Sequence, residues 1–534
     1  MTPRIARAIV IAAAAVAVLV AAAGRGDPEA QTEEPELVLH YLYSTDAEEL
    51  LVPLIDRFNR ESHRRGGREV WINGDALTSG AAEEALAAGR ERAALWTPAS
   101  SLWGRLLDHN VSADWVPAEN PPLVFSPQVI AMWKSFALAL GWPEKKIGWS
   151  DILDLATSRR SWADYGHPEY GSFKLGHTNP GYSTSGLSAV ASDYYAVTGK
   201  RSGLTLADVR RPGARDAVRT IERSIVHYGE TADRLLEKMG RYGQPYAHAA
   251  YVQETNLHKF NKGKPAAKQL AEIDPADGTF VADYPLIALD APWLSPDARA
   301  AAKAFRSWLV PRITAKRAAE SGFRVRRPKV FAELEPPAPE VLAAIREAWH
   351  EDRPPANIVL VVDTSNSMAE DGRLDAAKQG LLSFLRELSQ RDRVALISSG
   401  DTVTTNVPLG VLSKSGPAVT GAVDDLFANG DLPVYGAVSR ALDDLRTRDD
   451  RDRINAVVVL SDGAGTDVGR TQLLREIKAL PPTEGASVRI FTVTYRGRAD
   501  AQALEQIASA SGGLFFTGSP EDIKAVYRSI SSNF

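Results

Sequence analysis

The 534-residue chain contains no cysteine, which excludes disulfide bridges, thiol nucleophiles and cysteine-ligated zinc. Its nine histidines show no His-Glu-x-x-His pairing, and His350-Glu351 stands alone, so a helical zinc-hydrolase motif is absent. No Gly-x-x-x-x-Gly-Lys phosphate loop occurs. Gly181-x-Ser183-x-Ser185 lacks the last glycine of a nucleophile elbow. Gly463-x-Gly465 is followed by Gly469, one residue too late for a dinucleotide loop. A net charge of −5 without a long basic stripe excludes a nucleic-acid footprint. The longest apolar run near the start, Ile9 to Ala23, falls short of the about 20 residues a membrane span needs. These absences favour a binding protein over an enzyme.

What is present begins with an export signal. Arg4 and Arg7 precede the apolar run, and Ala21-Ala22-Ala23 offers small residues for cleavage. Residues 1–24 read as a signal peptide and 25–35 as a polar linker, which places the protein outside the cytoplasm, secreted or in the cell envelope. Leu19 to Gly24 followed by Arg25 resembles a bacterial lipoprotein signal with arginine in place of the lipidated cysteine, so no lipid can attach. A retained segment would be only a weak membrane anchor. The length fits two or three domains.

Residues 36–325 alternate strand-like apolar runs with amphipathic helices, the pattern of an α/β fold. Glu36 to Tyr43 predicts a strand, and Thr45 with Glu48 a capping box before Leu50, Leu51, Leu54, Ile55 and Phe58. Further units run from Val70 through Thr78-Ser79-Gly80, from Ala93 through Thr97-Pro98, and from Phe173 through a donor-rich loop ending Ser183-Thr184-Ser185-Gly186. Each strand ends in a hydroxyl-bearing turn that opens a helix, where unpaired backbone N–H groups favour anions and polar solutes.

Together with the Tyr246 to Asn261 segment, these pieces resemble the extracellular solute-binding proteins of ABC importers. The resemblance implies two α/β lobes hinged around a cleft for a small solute or peptide. It also implies that Ser44, Thr45, Thr78, Ser79, Thr97, Ser183, Thr184 and Ser185 lie near the ligand.

Residues 326–356 carry Pro336-Pro337-Ala338-Pro339 and Pro354-Pro355 around a short helix from Glu340 to Trp349, and predict a semi-rigid spacer.

Residues 357–534 predict a doubly wound, Rossmann-like sheet, with buried strands at Ile358 to Val362, Val394 to Ile397, Ala456 to Leu460 and Val488 to Thr494. The first ends in Asp363-Thr364-Ser365-Asn366-Ser367, and the third in Ser461-Asp462-Gly463. Carboxylates and hydroxyls in this arrangement suit Mg²⁺, with Mn²⁺ or Ca²⁺ as relatives in chemistry. Asp-x-Ser-x-Ser closing a strand, with a later strand ending in Asp-Gly, resembles the metal-ion-dependent adhesion site of von Willebrand factor A domains. The resemblance implies a divalent metal on Asp363, Ser365, Ser367 and Asp462, and a protein partner at the metal face. Aligned on Pro433 and Tyr435, Leu432 takes the place of the family's ligating threonine, and Asp431 is the candidate replacement. An extracytoplasmic binding protein is therefore expected. The alternatives are an importer's solute receptor whose second domain docks envelope partners, and a metal-dependent envelope hydrolase.

Overall fold

A computed structural model describes residues 36–229, 231–353, 355–431, 434–448, 450, 453–462, 469–480, 488–494, 498–517 and 530. The expected export signal and Leu432 lie outside them. Among the described residues no helix is long and apolar enough to cross a membrane.

The N-terminal part is two lobes, each built on its own sheet. In the first lobe the strand Leu37–Tyr43 pairs in parallel with Arg68–Ala76 on one side and Leu95–Thr97 on the other. Arg64–Arg65 and Ile287–Ala288 close the two edges in antiparallel fashion. The second lobe runs Val281–Ala282, Ser126–Trp133, Ala249–Gln253, Leu175–Thr178, Ile225–Gly229, with Leu270–Ile273 paired to Ser126–Trp133. The chain therefore leaves the first sheet after residue 97 and returns to it at residue 287. The two crossing segments are joined to each other by a bridge between Pro122 and Pro285, and a third meets them where Phe125 pairs with Arg324. Such paired crossovers form a hinge.

Two sequence expectations are corrected here, and one strand is added. Thr45 and Glu48 do not form a capping box: Thr45–Ala47 is a 3₁₀ turn, and the helix Glu48–Arg60 starts after it without a side-chain cap. Ser44 instead hydrogen-bonds the Asp46 carboxylate at 3.0 Å. The Pro-bounded segment is no free spacer either. Its helix, Pro339–Asp352, buries Val341, Leu342, Ile345, Ala348 and Trp349 in the same core as the two lobes. Finally, Val403–Val411, a half-exposed stretch containing Pro408, is an antiparallel edge strand that was not expected. Proline and exposure mask its strand character, and both are tolerated at a sheet edge.

The C-terminal sheet has the order Val403–Val411, Arg393–Ser399, Ala356–Asp363, Ile454–Ser461, Val488–Thr494, Phe515–Thr517. All pairs except the first are parallel. Helices cover both faces, and the two apolar sets Ile358, Leu360, Val362 and Val359, Val361 point to separate cores. The order reverses direction between Ala356–Asp363 and Ile454–Ser461. In doubly wound folds that switch point, at the carboxyl ends of the strands, is where ligands bind.

Candidate functional site

Six of the eight hydroxyl residues expected at the solute cleft line one cavity. Ser44 and Thr45 follow the strand Leu37–Tyr43, and Thr78 and Ser79 open the helix Ser79–Ala87, all on the first lobe. Ser183 and Thr184 open the helix Thr184–Thr198 on the second, joined by Thr231 and Ala232 at the start of another. Thr78 and Ser183 occupy N-cap positions, yet neither hydroxyl caps its helix. The Ser183 hydroxyl accepts from Thr178 at 2.8 Å instead. The other two residues lie elsewhere. Thr97 bonds the Tyr41 hydroxyl at 2.7 Å inside the first lobe, because the strand's alternation turns it into the core. Ser185, one residue into its helix, faces inward and its buried hydroxyl has no partner.

The lobes are closed on one another. The Gly80 N–H donates to the Tyr182 carbonyl at 2.8 Å, and Trp103 Nε1 donates to Thr184 Oγ1 at 2.8 Å. Asp46, on the first lobe, is enclosed by the second. Gln253 Nε2 and Asn256 Nδ2 donate to its carboxylate at 3.1 and 2.8 Å, and Lys259 Nζ donates to its backbone carbonyl at 2.9 Å. The cavity lined by these hydroxyls is about 10 Å³, room for about one water. Nothing larger than a water fits among these hydroxyls while the lobes are in contact. Asp46 escaped the sequence reading, although it belongs to the Ser44-Thr45-Asp46 turn. Its second-lobe partners come from more than 200 positions away, which no local pattern reveals.

At the switch point of the C-terminal sheet, Asp363 is buried. Its Oδ1 accepts from the Ser365 backbone N–H at 2.8 Å, and its Oδ2 from the Ser461 hydroxyl at 2.5 Å. Burial pushes the Asp363 carboxyl above its ordinary range, and the bonds from Ser461 and Ser365 act against that rise. The Ser365 and Ser367 hydroxyls face each other at 3.0 Å. At that separation the two hydroxyls hydrogen-bond each other. Asp462 is held differently. Arg373 Nη1 donates to its Oδ2 at 2.9 Å and to the Ser367 carbonyl at 3.0 Å.

A model of the bacterial extracellular solute-binding proteins matches residues 39–324, more than half of the chain. The chain belongs to that family. The solute-binding domain is followed by a von Willebrand factor type A domain, matched over residues 357–528. An uncharacterized protein of Mycobacterium tuberculosis is 23% identical over 458 residues, 79% of this chain and 64% of the relative. The chain thus spans less than two thirds of that curated relative. The uncharacterized protein YfbK of Escherichia coli is 29% identical over 126 residues, 23% of this chain and 21% of its own. Among solved structures, a periplasmic thiamin binding protein covers 61% of this chain and 98% of its own, at 13% identity and a TM-score of 0.41. A von Willebrand factor type A protein from Catenulispora acidiphila covers 33% and 42%, at 18% identity and 0.30.

In the von Willebrand domain, Asp431 is solvent-exposed. Among the described residues no three acidic or histidine side chains converge closely enough to hold a metal. The residue that sequence reasoning missed is Arg373, the first residue of the helix Arg373–Glu387. Its spacing from the Asp-x-Ser-x-Ser stretch was visible, but only the fold brings it to Asp462.

Proposed function

We propose that this protein is an extracytoplasmic, non-enzymatic binding protein with a small-solute cleft and a separate, metal-dependent protein-interaction face. The single observation that carries the cleft is the convergence of Ser44, Thr45, Thr78, Ser79, Ser183 and Thr184, from helix starts on two lobes, on one cavity. Hydroxyls and N-terminal helix amides select an oxyanion or another polar solute. Family membership supports the export of the chain and a small-molecule ligand.

The test is a thermal-shift panel on the full chain with phosphate, sulfate, monosaccharides and short peptides. One class raises the unfolding midpoint progressively with concentration, as binding to the native state requires. No shift from any class, in the parent or in a variant with opened lobes, would count against the cleft.

For the second face, Ser365 and Ser367 would hold a divalent cation through their hydroxyls, with the Asp363 and Asp462 carboxylates beside them. The cation would supply an open position for an oxygen donor of a protein partner. Arg373 supplies positive charge to the same group of oxygens and so competes with the metal. Calorimetric titration of the full chain with Mg²⁺ and Mn²⁺ is expected to show binding that disappears in Asp363→Ala and strengthens in Arg373→Ala. Equal heats in parent and Asp363→Ala would remove the metal from the proposal and leave a metal-free docking face.

A further inference from the structure

Residues 325–356 belong to neither matched domain, yet their helix Pro339–Asp352 touches both lobes and the von Willebrand domain. It packs against the helix Leu102–Val111 of the first lobe and against Thr184–Thr198, Leu206–Arg210 and Pro212–Glu222 of the second. One side chain straddles the seam. Arg346 Nη1 donates to Glu83 Oε2 of the first lobe at 3.2 Å, and its Nη2 donates to the Gly181 carbonyl of the second at 3.1 Å. Its guanidinium also lies 5.5 Å from the Trp103 ring centre. Gly181 adjoins Tyr182, whose carbonyl takes the cross-lobe bond from Gly80.

The remaining polar anchors favour one side. Trp349 Nε1 donates to the buried Glu222 at 2.8 Å. Asp352 pairs with Arg215 at 2.6 Å and with Arg219 at 2.8 Å. These partners all lie on the second lobe. At the helix's far end Arg353 pairs with Asp392 of the von Willebrand domain at 2.7 Å. Arg391 of that domain donates to the carbonyls of Glu351 and Arg353.

We propose that this helix is a latch: anchored to the second lobe and gripped by the von Willebrand domain, it holds the first lobe shut through Arg346. The inference rests on the reading of the cleft as a solute site, and it adds that closure precedes solute. In a hinge without a latch, the solute itself bridges the lobes and favours the closed state. Here protein groups already do so, and the hydroxyl-lined cavity is too small to contain a solute. Solute exchange then requires Arg346 to release Glu83 and Gly181. Because the latch ends in the Arg353–Asp392 pair, an event at the von Willebrand domain that shifts this pair changes the closed population, and by linkage solute binding shifts the von Willebrand domain equally.

The absence of native cysteine makes the test direct. Spin labels are placed at Ala88→Cys on the first lobe and Arg234→Cys on the second, both solvent-exposed positions, in the full chain without solute. The parent gives a single short distance. Arg346→Ala adds a longer population, at least tenfold above the parent's, and Arg346→Lys, which cannot donate to both lobes in the same fork, falls between. Glu83→Gln removes the same ion pair from the other side and opens the lobes in the same direction if Arg346→Ala fails to fold. Distances in Arg346→Ala or Glu83→Gln that superimpose on the parent's overturn the latch, as does a parent already open. No solute enters the measurement, so its outcome is independent of whether the cleft binds one.

Discussion

Asp392→Ala is expected to destabilise the chain by about 3–5 kcal/mol, the usual cost of removing one partner of a buried ion pair. Asp392 and Arg353 have side chains 0% and 3% exposed, so water cannot replace the lost partner. The carboxylate does more than neutralise the arginine. Its Oδ1 accepts the Ala356 N–H at 2.7 Å, at the start of the strand leading to Asp363, and its Oδ2 accepts the Ser389 N–H at 2.8 Å. Alanine takes the carboxylate from a buried guanidinium and orphans two backbone donors, and orphaned buried donors cost more than their bonds contribute. Asp392→Asn keeps the shape and an acceptor but loses the charge, and is expected to lose less. Urea unfolding of parent and both variants measures the difference. A loss below about 1 kcal/mol in Asp392→Ala, a magnitude typical of exposed pairs, would show that the junction is not the dry, ordered contact described.

The second large effect comes from a single methyl group. At Gly80 a Cβ would press on the Gly181 carbonyl oxygen and stand 2.7 Å from the Trp103 ring and 2.8 Å from Tyr182 Cα. Those neighbours are partly backbone of the opposite lobe, so they cannot yield by changing rotamer. Within an isolated helix, alanine is better than glycine by about 1 kcal/mol. Any destabilisation in Gly80→Ala therefore reports the seam between the lobes. Overpacking costs about 1–3 kcal/mol, and the molecule can relieve it by opening, which lowers the closed-to-open ratio about tenfold or more. Small-angle scattering of Gly80→Ala is expected to show a larger radius of gyration. Gly213→Ala, where a Cβ meets nothing within 4 Å, is expected to match the parent. Identical profiles for Gly80→Ala and the parent would mean that the lobes are not in contact at Gly80 in solution.

The parts of the fold that the sequence made legible share one property: their signal is local. Ile358 to Val362 is an unbroken apolar run because a parallel strand buried on both faces needs one, and the observed strand, Ala356–Asp363, extends it only slightly. Hydroxyls at strand ends marked the helix starts of both lobes, and six of eight meet in space. Thr97 misled because strand alternation, not loop position, decides where its side chain points. The prolines that flank the helix Pro339–Asp352 suggest a spacer. Yet Val341, Leu342, Ile345, Ala348 and Trp349 repeat at the spacing of a buried helical face, and weighing that pattern above the prolines would have placed it in the core. Asp46 and Arg373 stayed hidden for a different reason. Their roles depend on Asn256 and Asp462, partners 210 and 89 positions away, and such pairings exist only once the chain has folded.

The most direct test of the cleft is a calorimetric titration, into the full chain, of the solute class that shifts the melting midpoint. It compares the parent with a Thr78→Ala, Thr184→Ala double variant, which removes one hydroxyl from each lobe. A dissociation constant weakened at least tenfold, about 1.4 kcal/mol, would place the solute between the lobes at these helix starts. An unchanged dissociation constant would contradict the assignment of the site to this cavity.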